Sequence, residues 1–404
     1  MAAELSPEFR LAAACAMWPP SAQAAQTVAE AASRPLDWER FIAIVRRHRI
    51  VGLAHHALSH ATAPVPPGIL AELRRDAILQ AKAGLRLAAE TIAIEQMMQA
   101  GGITAAILKG APLARLAYGD LGLRHSRDID VLVAPQALPA AIAVLKQAGY
   151  RPHGESASLT DARMSLIMRH CYHLEYRHPD GGALIELHWR LTANPHRVTP
   201  IPPATRWAAV SLSESIGVHS FSFTGADLDA YLFSHGAQHC WFRLKWLADI
   251  GALLAGRSDS EIERMVAEVT EMGLLRPLAQ GLLLAARLLK TPLPAGLETR
   301  LSKDRRSRWL VALAVTAMTA GDAIGDPHDL PFGETRINLS QYLLQSGWRY
   351  WLATAAENLT CVEDWLTVPL PRALIWLYPV LRLPLWSVRQ IRRYGRLIRR
   401  ARQS

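Results

Sequence analysis

Two acids set two residues apart, Asp128 and Asp130, are the residues of this chain whose type and spacing first suggest chemistry. Read as a β-strand, Asp128-Ile129-Asp130-Val131-Leu132-Val133 sends both carboxylates to one face and Ile129, Val131 and Val133 to the other. Like charges on one face repel unless a cation lies between them. Mg²⁺ suits the pair, because it is a hard ion that takes oxygen ligands and keeps waters a phosphate can replace. The solvated face of an edge strand would explain an isolated Asp-x-Asp equally well, so the neighbouring residues decide.

Upstream, Ile103 to Leu108 reads as a strand that ends in Lys109-Gly110, and Pro112 suits the first turn of a following helix. Backbone N–H groups at such a turn, with a lysine beside them, make an anion site able to hold a triphosphate facing the metal. Arg124 and Arg127 join Lys109 as cations that could neutralise it. Downstream, Pro179-Asp180-Gly181-Gly182 separates two alternating runs and predicts a hairpin. On its second arm Leu184, Glu186 and His188 share one face, while Ile185, Leu187 and Trp189 share the other.

A glycine turn followed by a strand carrying Asp-x-Asp resembles the nucleotidyltransferase superfamily with the DNA polymerase β type of fold. More narrowly, Leu108-Lys109-Gly110 and Arg124-His125-Ser126-Arg127-Asp128-Ile129-Asp130 are similar to the bacterial family of uncharacterised nucleotidyltransferases. One departure stands out: the superfamily usually carries Gly-Ser where this chain has Lys109-Gly110. The resemblance implies an α+β fold, a polymerase β-like catalytic domain with a small mixed sheet, flanked by an N-terminal helical segment and a mainly helical C-terminal domain. It also implies two Mg²⁺ ions, with Mn²⁺ as a substitute, held by Asp128, Asp130 and a third acid, Glu186. Nucleotide contacts would fall to Lys109, Gly110, Arg124, Ser126 and Arg127, and ATP is the favoured triphosphate.

His235 and His239 are four apart and so share a helix face, but Gly236 stands where a zinc protease has glutamate. That segment, with Leu244-Lys245-Trp246-Leu247-Ala248-Asp249, again resembles the family. It marks a helix lining the cleft and makes His235, His239 and Lys245, together with His188, candidates for the acceptor side.

The elements that must position these residues divide the chain into four: a helical region at 1–100, the catalytic domain at 101–224, a helical domain at 225–370, and an apolar then basic tail at 371–404. The block Trp38 to Ala100 is expected to pack on the catalytic sheet, Asp161 to Arg169 to be helical, and Gly321 to Asn338 to be a loop. His48, His55, His56 and His60 form no recognisable ligand pattern. Four scattered cysteines without a C-x-x-C pair argue against a zinc knuckle or a disulfide framework. The chain starts without a convincing secretory signal, since the apolar run Leu11 to Trp18 is short and Glu4 and Glu8 precede Arg10. A cytoplasmic location is the expectation.

The net charge of +10 is concentrated, with Arg389, Arg392, Arg393, Arg396, Arg399, Arg400 and Arg402 in the tail. The body is only mildly basic, which disfavours a nucleic-acid partner. Ala373 to Val388 is apolar but broken by Pro379, Arg382 and Pro384, too interrupted to span a bilayer. With the arginines that follow, it could instead lie on an anionic membrane surface. The expected activity is transfer of a nucleoside monophosphate from an NTP to a hydroxyl or phosphate acceptor with release of pyrophosphate, the acceptor being a small molecule, a saccharide or a peptide. The alternative is a non-catalytic nucleotide-binding or interaction module of the same fold, against which three retained acids speak.

Overall fold

A computed structural model describes residues 5–158, 167–168, 170–197, 201–214, 217–319, 333–360 and 362–401. Most of the helix expected at 161–169 lies outside the described residues. Five strands form a mixed sheet: β1 (Ala105–Ile107), β2 (Asp128–Val133), β3 (Arg151–Pro152), β4 (His173–Arg177) and β5 (Leu184–His188), in the order β1-β2-β5-β4-β3. β2 runs parallel to β5, and the other pairings are antiparallel. β2 is therefore an interior strand. Its carboxylates do not decorate an open sheet edge; they project from the middle of a face.

Alternation along the strands gives each face its own role. Ile129, Val131, Val133, Leu174, Tyr176, Ile185, Leu187 and Trp189 fill one core together with Leu87, Ile94 and Met98 of the long helix α5 (Pro67–Ala100). The other face carries the acids, and Leu132 at its end joins a second, larger core. The turn from β1 into α6 (Gly110–Tyr118) is made at Gly110, whose φ of 66° lies in the left-handed region that a side chain disfavours. A two-stranded ribbon, β6 (Ala208–Ser213) and β7 (Val218–Ser222), adjoins β1, and Ser222 donates its hydroxyl to the Ile107 carbonyl at 2.7 Å.

The N-terminal block corrects one expectation. Of its helices, α5 covers the sheet, but α1 (Pro7–Cys15), α2 (Ala22–Ala32), α3 (Trp38–His48) and α4 (Val51–His60) share the larger core with the helices after residue 225. Those begin with α8 (Gly225–Gln238), α9 (Leu244–Ala255), α10 (Asp259–Glu271) and α11 (Leu275–Leu289), after α7 (Leu138–Gln147) between β2 and β3. The cause is composition. Phe9, Leu11 and the alanines through Ala14 are all buried, so α1 is apolar nearly all round and needs cover on more than one side, part of it from α11.

One further expectation changes, and the one that the tail does not span holds. After α12 (Leu297–Leu301) and α13 (Arg305–Thr319), residues 333–338 are helical, within α14 (Gly333–Gln341), because Ile337 and Ser340 are buried where α14 meets α8 and α13. Residues 320–332 lie outside the description. Beyond α15 (Trp348–Leu359) and α16 (Val362–Thr367), the tail forms one helix, α17 (Tyr378–Ala401), which runs through Pro384. Proline frees the carbonyl four residues earlier, at Val380, and that residue is exposed, so water can serve it. No helix of the described residues is long and apolar enough to cross a membrane.

A buried ion pair ties the five-stranded sheet to the helical region. Arg124, in the loop before β2, donates from Nε and Nη2 to the Asp249 carboxylate on α9 at 2.9 and 3.0 Å, and Tyr118 donates its hydroxyl to Asp249 Oδ1 at 3.0 Å. Arg124 and Asp249 are both buried. Removing one partner strands a charge in the interior, so Arg124→Ala is expected to cost about 3–5 kcal/mol in chemical denaturation, and Arg124→Met combined with Asp249→Leu markedly less. A cost below about 1 kcal/mol for the single change would show that the pair does not join the two parts.

Candidate active site

A cavity of roughly 330 Å³ lies between the acidic face of the sheet and helices α8 and α9. Lys109, Arg124, Asp128, Asp130, Glu186, His188, His235, His239 and Lys245 all line it. Gly110, Ser126 and Arg127 do not: Gly110 opens α6, Ser126 accepts a hydrogen bond from Arg124 Nη1 at 2.9 Å, and Arg127 is exposed. The structure thus brings residues from β1, β2, β5, α8 and α9 to one place.

At its centre is Asp130, only 2 % exposed. The register sets it beside Glu186 across the parallel β2–β5 pair, with side chains on the same face. His188 Nε2 lies 3.3 Å from Asp130 Oδ1 and 3.3 Å from Glu186 Oε2, so the two carboxylates bracket a single nitrogen. Lys109 Nζ is 3.1 Å from the same Asp130 oxygen. Burial opposes the charged form of Asp130, but Lys109 foremost, then His188 and His235, overcome it and hold its pKa well below the usual carboxylate range. The reciprocal holds for the cations. Burial works against charge on Lys109 and His188, yet the acids raise both above their ordinary values.

The helical wall behaves differently. Burial, then Lys109 and His239, pushes His235 well below its ordinary value, so its imidazole is neutral at neutral pH. His239 stacks on Trp246 with ring centroids 5.4 Å apart, and His235 meets the edge of the same indole at 5.5 Å. Lys245 is buried on α9 and donates to the His125 carbonyl at 3.3 Å. Arg49 and Arg243 complete this side of the cavity.

Several lining residues escaped the reading of the sequence. His173 was legible, because counting outwards from Asp180 and Gly181 sets it opposite His188 and sets Glu175 opposite Glu186, as the ladder has them. Tyr172, Tyr231 and Arg49 carried no local signal; Arg49 ends α3 with φ 57°, and only the tertiary fold brings it here. His173 is pushed down to about 4 by burial and then by His188, while burial and Glu186 raise Glu175.

The donor set suits a divalent cation. Asp130 Oδ1 is buried without a well-directed hydrogen bond, and His173, Glu186 and His188 offer ligand atoms within 4.8 Å of one another. Carboxylate oxygens match a hard ion such as Mg²⁺, and the imidazoles would favour a borderline one.

A mixed sheet whose interior strands β2 and β5 present one buried and two half-buried acids to a cation-lined cavity is an architecture for handling a metal-bound polyanion. Residues 34–290 match the family described as uncharacterised nucleotidyltransferase, and the chain belongs to that family. Membership implies transferase activity with a nucleoside triphosphate as substrate. No curated protein matches the chain.

Lys245 generates a stability prediction. Burial, then Arg124 and Arg49, pushes its pKa well below the ordinary lysine value. The unfolded lysine titrates near ~10.4, so folding is penalised at neutral pH, and the penalty fades as pH rises towards that value. Lys245→Met should therefore raise the thermal midpoint by about 1–3 °C at pH 7, with a smaller gain near pH 10. A lower midpoint at pH 7 would show that the lysine is stabilising.

Proposed function

We propose that this protein transfers a nucleoside monophosphate from an NTP, with ATP favoured, to a hydroxyl or phosphate acceptor and releases pyrophosphate. The observation that carries the reading is that Asp130 and Glu186 bracket one nitrogen on the face that also bears Asp128. Asp128, Asp130 and Glu186 would hold two Mg²⁺ ions or Mn²⁺, and His188 is near enough to add a nitrogen ligand. Divalent ions bound there would supply Lewis-acid charge to the phosphoryl oxygens.

Lys109 and Lys245, with Arg49, neutralise the triphosphate on this reading, while Arg124 contributes charge from a guanidinium held by Asp249. Gly110 acts by opening α6 towards the phosphates, and Ser126 by steadying Arg124. His235, His239 and Trp246 form the wall on which an acceptor rests, an aromatic and imidazole surface suited to a small molecule, a saccharide or a peptide side chain. Glu186 serves the attacking side. The NTP pool makes the cytoplasm the natural place for this reaction.

Incubation with each of the four α-labelled NTPs and a cell extract should label one acceptor class. Asp128→Asn and Asp130→Asn should each abolish transfer; Asp128→Asn should do so with little loss of stability, while Asp130→Asn should also lower stability, because it leaves Lys109 and His188 without their buried counter-charge. Glu186→Gln should lower kcat by about 100-fold or more and spare nucleotide affinity. An Asp128→Asn protein that labels at the wild-type rate would falsify the assignment. His188→Ala should weaken Mn²⁺ binding, followed by paramagnetic resonance, more than Mg²⁺ binding, and equal losses would remove the histidine from the ligand set.

A further inference from the structure

Helix α17 is attached to the protein by the wrong face for an ordinary surface helix. Tyr378 at its start is buried against Trp365, and Leu381, Leu385 and Trp386 are half-buried, but the rest of its anchoring is polar: Arg382 donates from Nε to the Asn358 carbonyl at 3.0 Å and from Nη1 to Asp364 at 3.3 Å, Arg389 pairs with the same carboxylate, and Gln390 is buried. Asp364 itself is buried. Most of the outward residues are apolar, with Ser387 and Arg392 the polar exceptions among those described. Val380, Leu383, Val388, Ile391 and Tyr394 recur every three to five residues along one side, with Leu383 69 % and Ile391 71 % exposed. An amphipathic helix normally turns that stripe to the core.

The neighbouring helix repeats the pattern. Trp348, Trp351, Leu352 and Leu359 of α15, which touches α17, are exposed, and Trp376 just before α17 is 67 % exposed. The charge carried by α17 and the segment leading into it has one sign. From Trp365 to Ser404 there are nine arginines and no acid. Arg349 is exposed and stacks on Trp348 at 5.4 Å.

We propose that α15 and α17 form a docking face for an anionic lipid bilayer, with α17 lying in the interface. Three features select this occupant. Trp and Tyr beside arginine suit the headgroup level, where one end of the side chain is apolar and the other wet. A second copy of the chain would bring the same arginines against themselves, and a nucleic acid has no apolar interior to receive Leu383 or Ile391. No described helix can span, so the segment lies on the bilayer. The arginines draw it to anionic headgroups, and the apolar stripe enters the acyl boundary.

The test uses the full chain with vesicles of phosphatidylcholine, with and without about one third phosphatidylglycerol, followed by co-sedimentation and tryptophan emission. Binding and a blue shift are expected only with the anionic lipid. Leu383→Glu with Ile391→Glu alters two exposed positions, so unchanged circular dichroism is expected with at least about a tenfold loss of binding. Equal recovery of wild-type protein in the supernatant with both lipids at low salt would overturn the proposal. So would a lipid-independent dimer, seen in sedimentation equilibrium, that the same double variant dissolves. The acids of the cavity are untouched by these variants, so failure here is distinguishable from failure of the transfer reading.

Discussion

A carboxylate buried in the middle of a sheet has to be answered by positive charge, and the answer to Asp130 organises the sheet half of this protein. Lys109 reaches it from the end of β1, and His188 reaches it from β5 while also contacting Glu186. The strand order makes both contacts possible, because β2 lies between β1 and β5. On an edge strand the same acid would be hydrated, with little effect on its neighbours. In the interior its charge is screened only by the groups placed around it, so each of them becomes part of the site.

The same rule fixes the opposite wall. Asp249 and Lys245 are four residues apart on α9 and therefore share a face. The buried pairing of Asp249 with Arg124 clamps that face against the loop preceding β2, which brings Lys245 and Trp246 into the cavity. Lys245 is then held near Arg124 and Arg49, an arrangement that is unfavourable by itself. Strain of this kind is expected where a protein keeps a charge for a ligand rather than for its own stability.

The paired acids, the hairpin and the turn at Gly110 were legible in the sequence because each depends on residues within a few positions of one another: alternation places Asp128 with Asp130, and the Pro179 to Gly182 turn sets the register that brings Glu186 to its face. What was not legible depends on distant pairing. Nothing local distinguishes an interior β2 from an edge one, or tells Arg124 that its partner is 125 residues away. Within Trp38 to Ala100, α5 packs on the sheet as expected while α3 and α4 go to the other core, because periodicity shows that a helix has an apolar face but not which of two cores receives it. In the tail, the prolines interrupt the apolar run enough to exclude a spanning helix, but they do not by themselves show whether a helix runs through them. The helix continues because the freed carbonyl at Val380 faces water, a circumstance that only the exposure of that side reveals.

The distribution of charge in the cavity bears on what can bind first. The sheet side presents Asp128, Asp130 and Glu186, and the other side presents Lys245, Arg49 and Arg243. A free polyphosphate would be drawn to the cations and repelled by the acids. A free divalent ion would be drawn to the acids, but Lys109 and His188 already neutralise them in part. A nucleotide that carries its own metal meets both requirements at once, with phosphate oxygens towards the cations and the ion towards the carboxylates. On the proposed reading, the opposed walls therefore favour entry of the metal–nucleotide complex over either component alone. On the same reading, the wall formed by His235, His239 and Trp246, uncharged at His235, would be left for the acceptor.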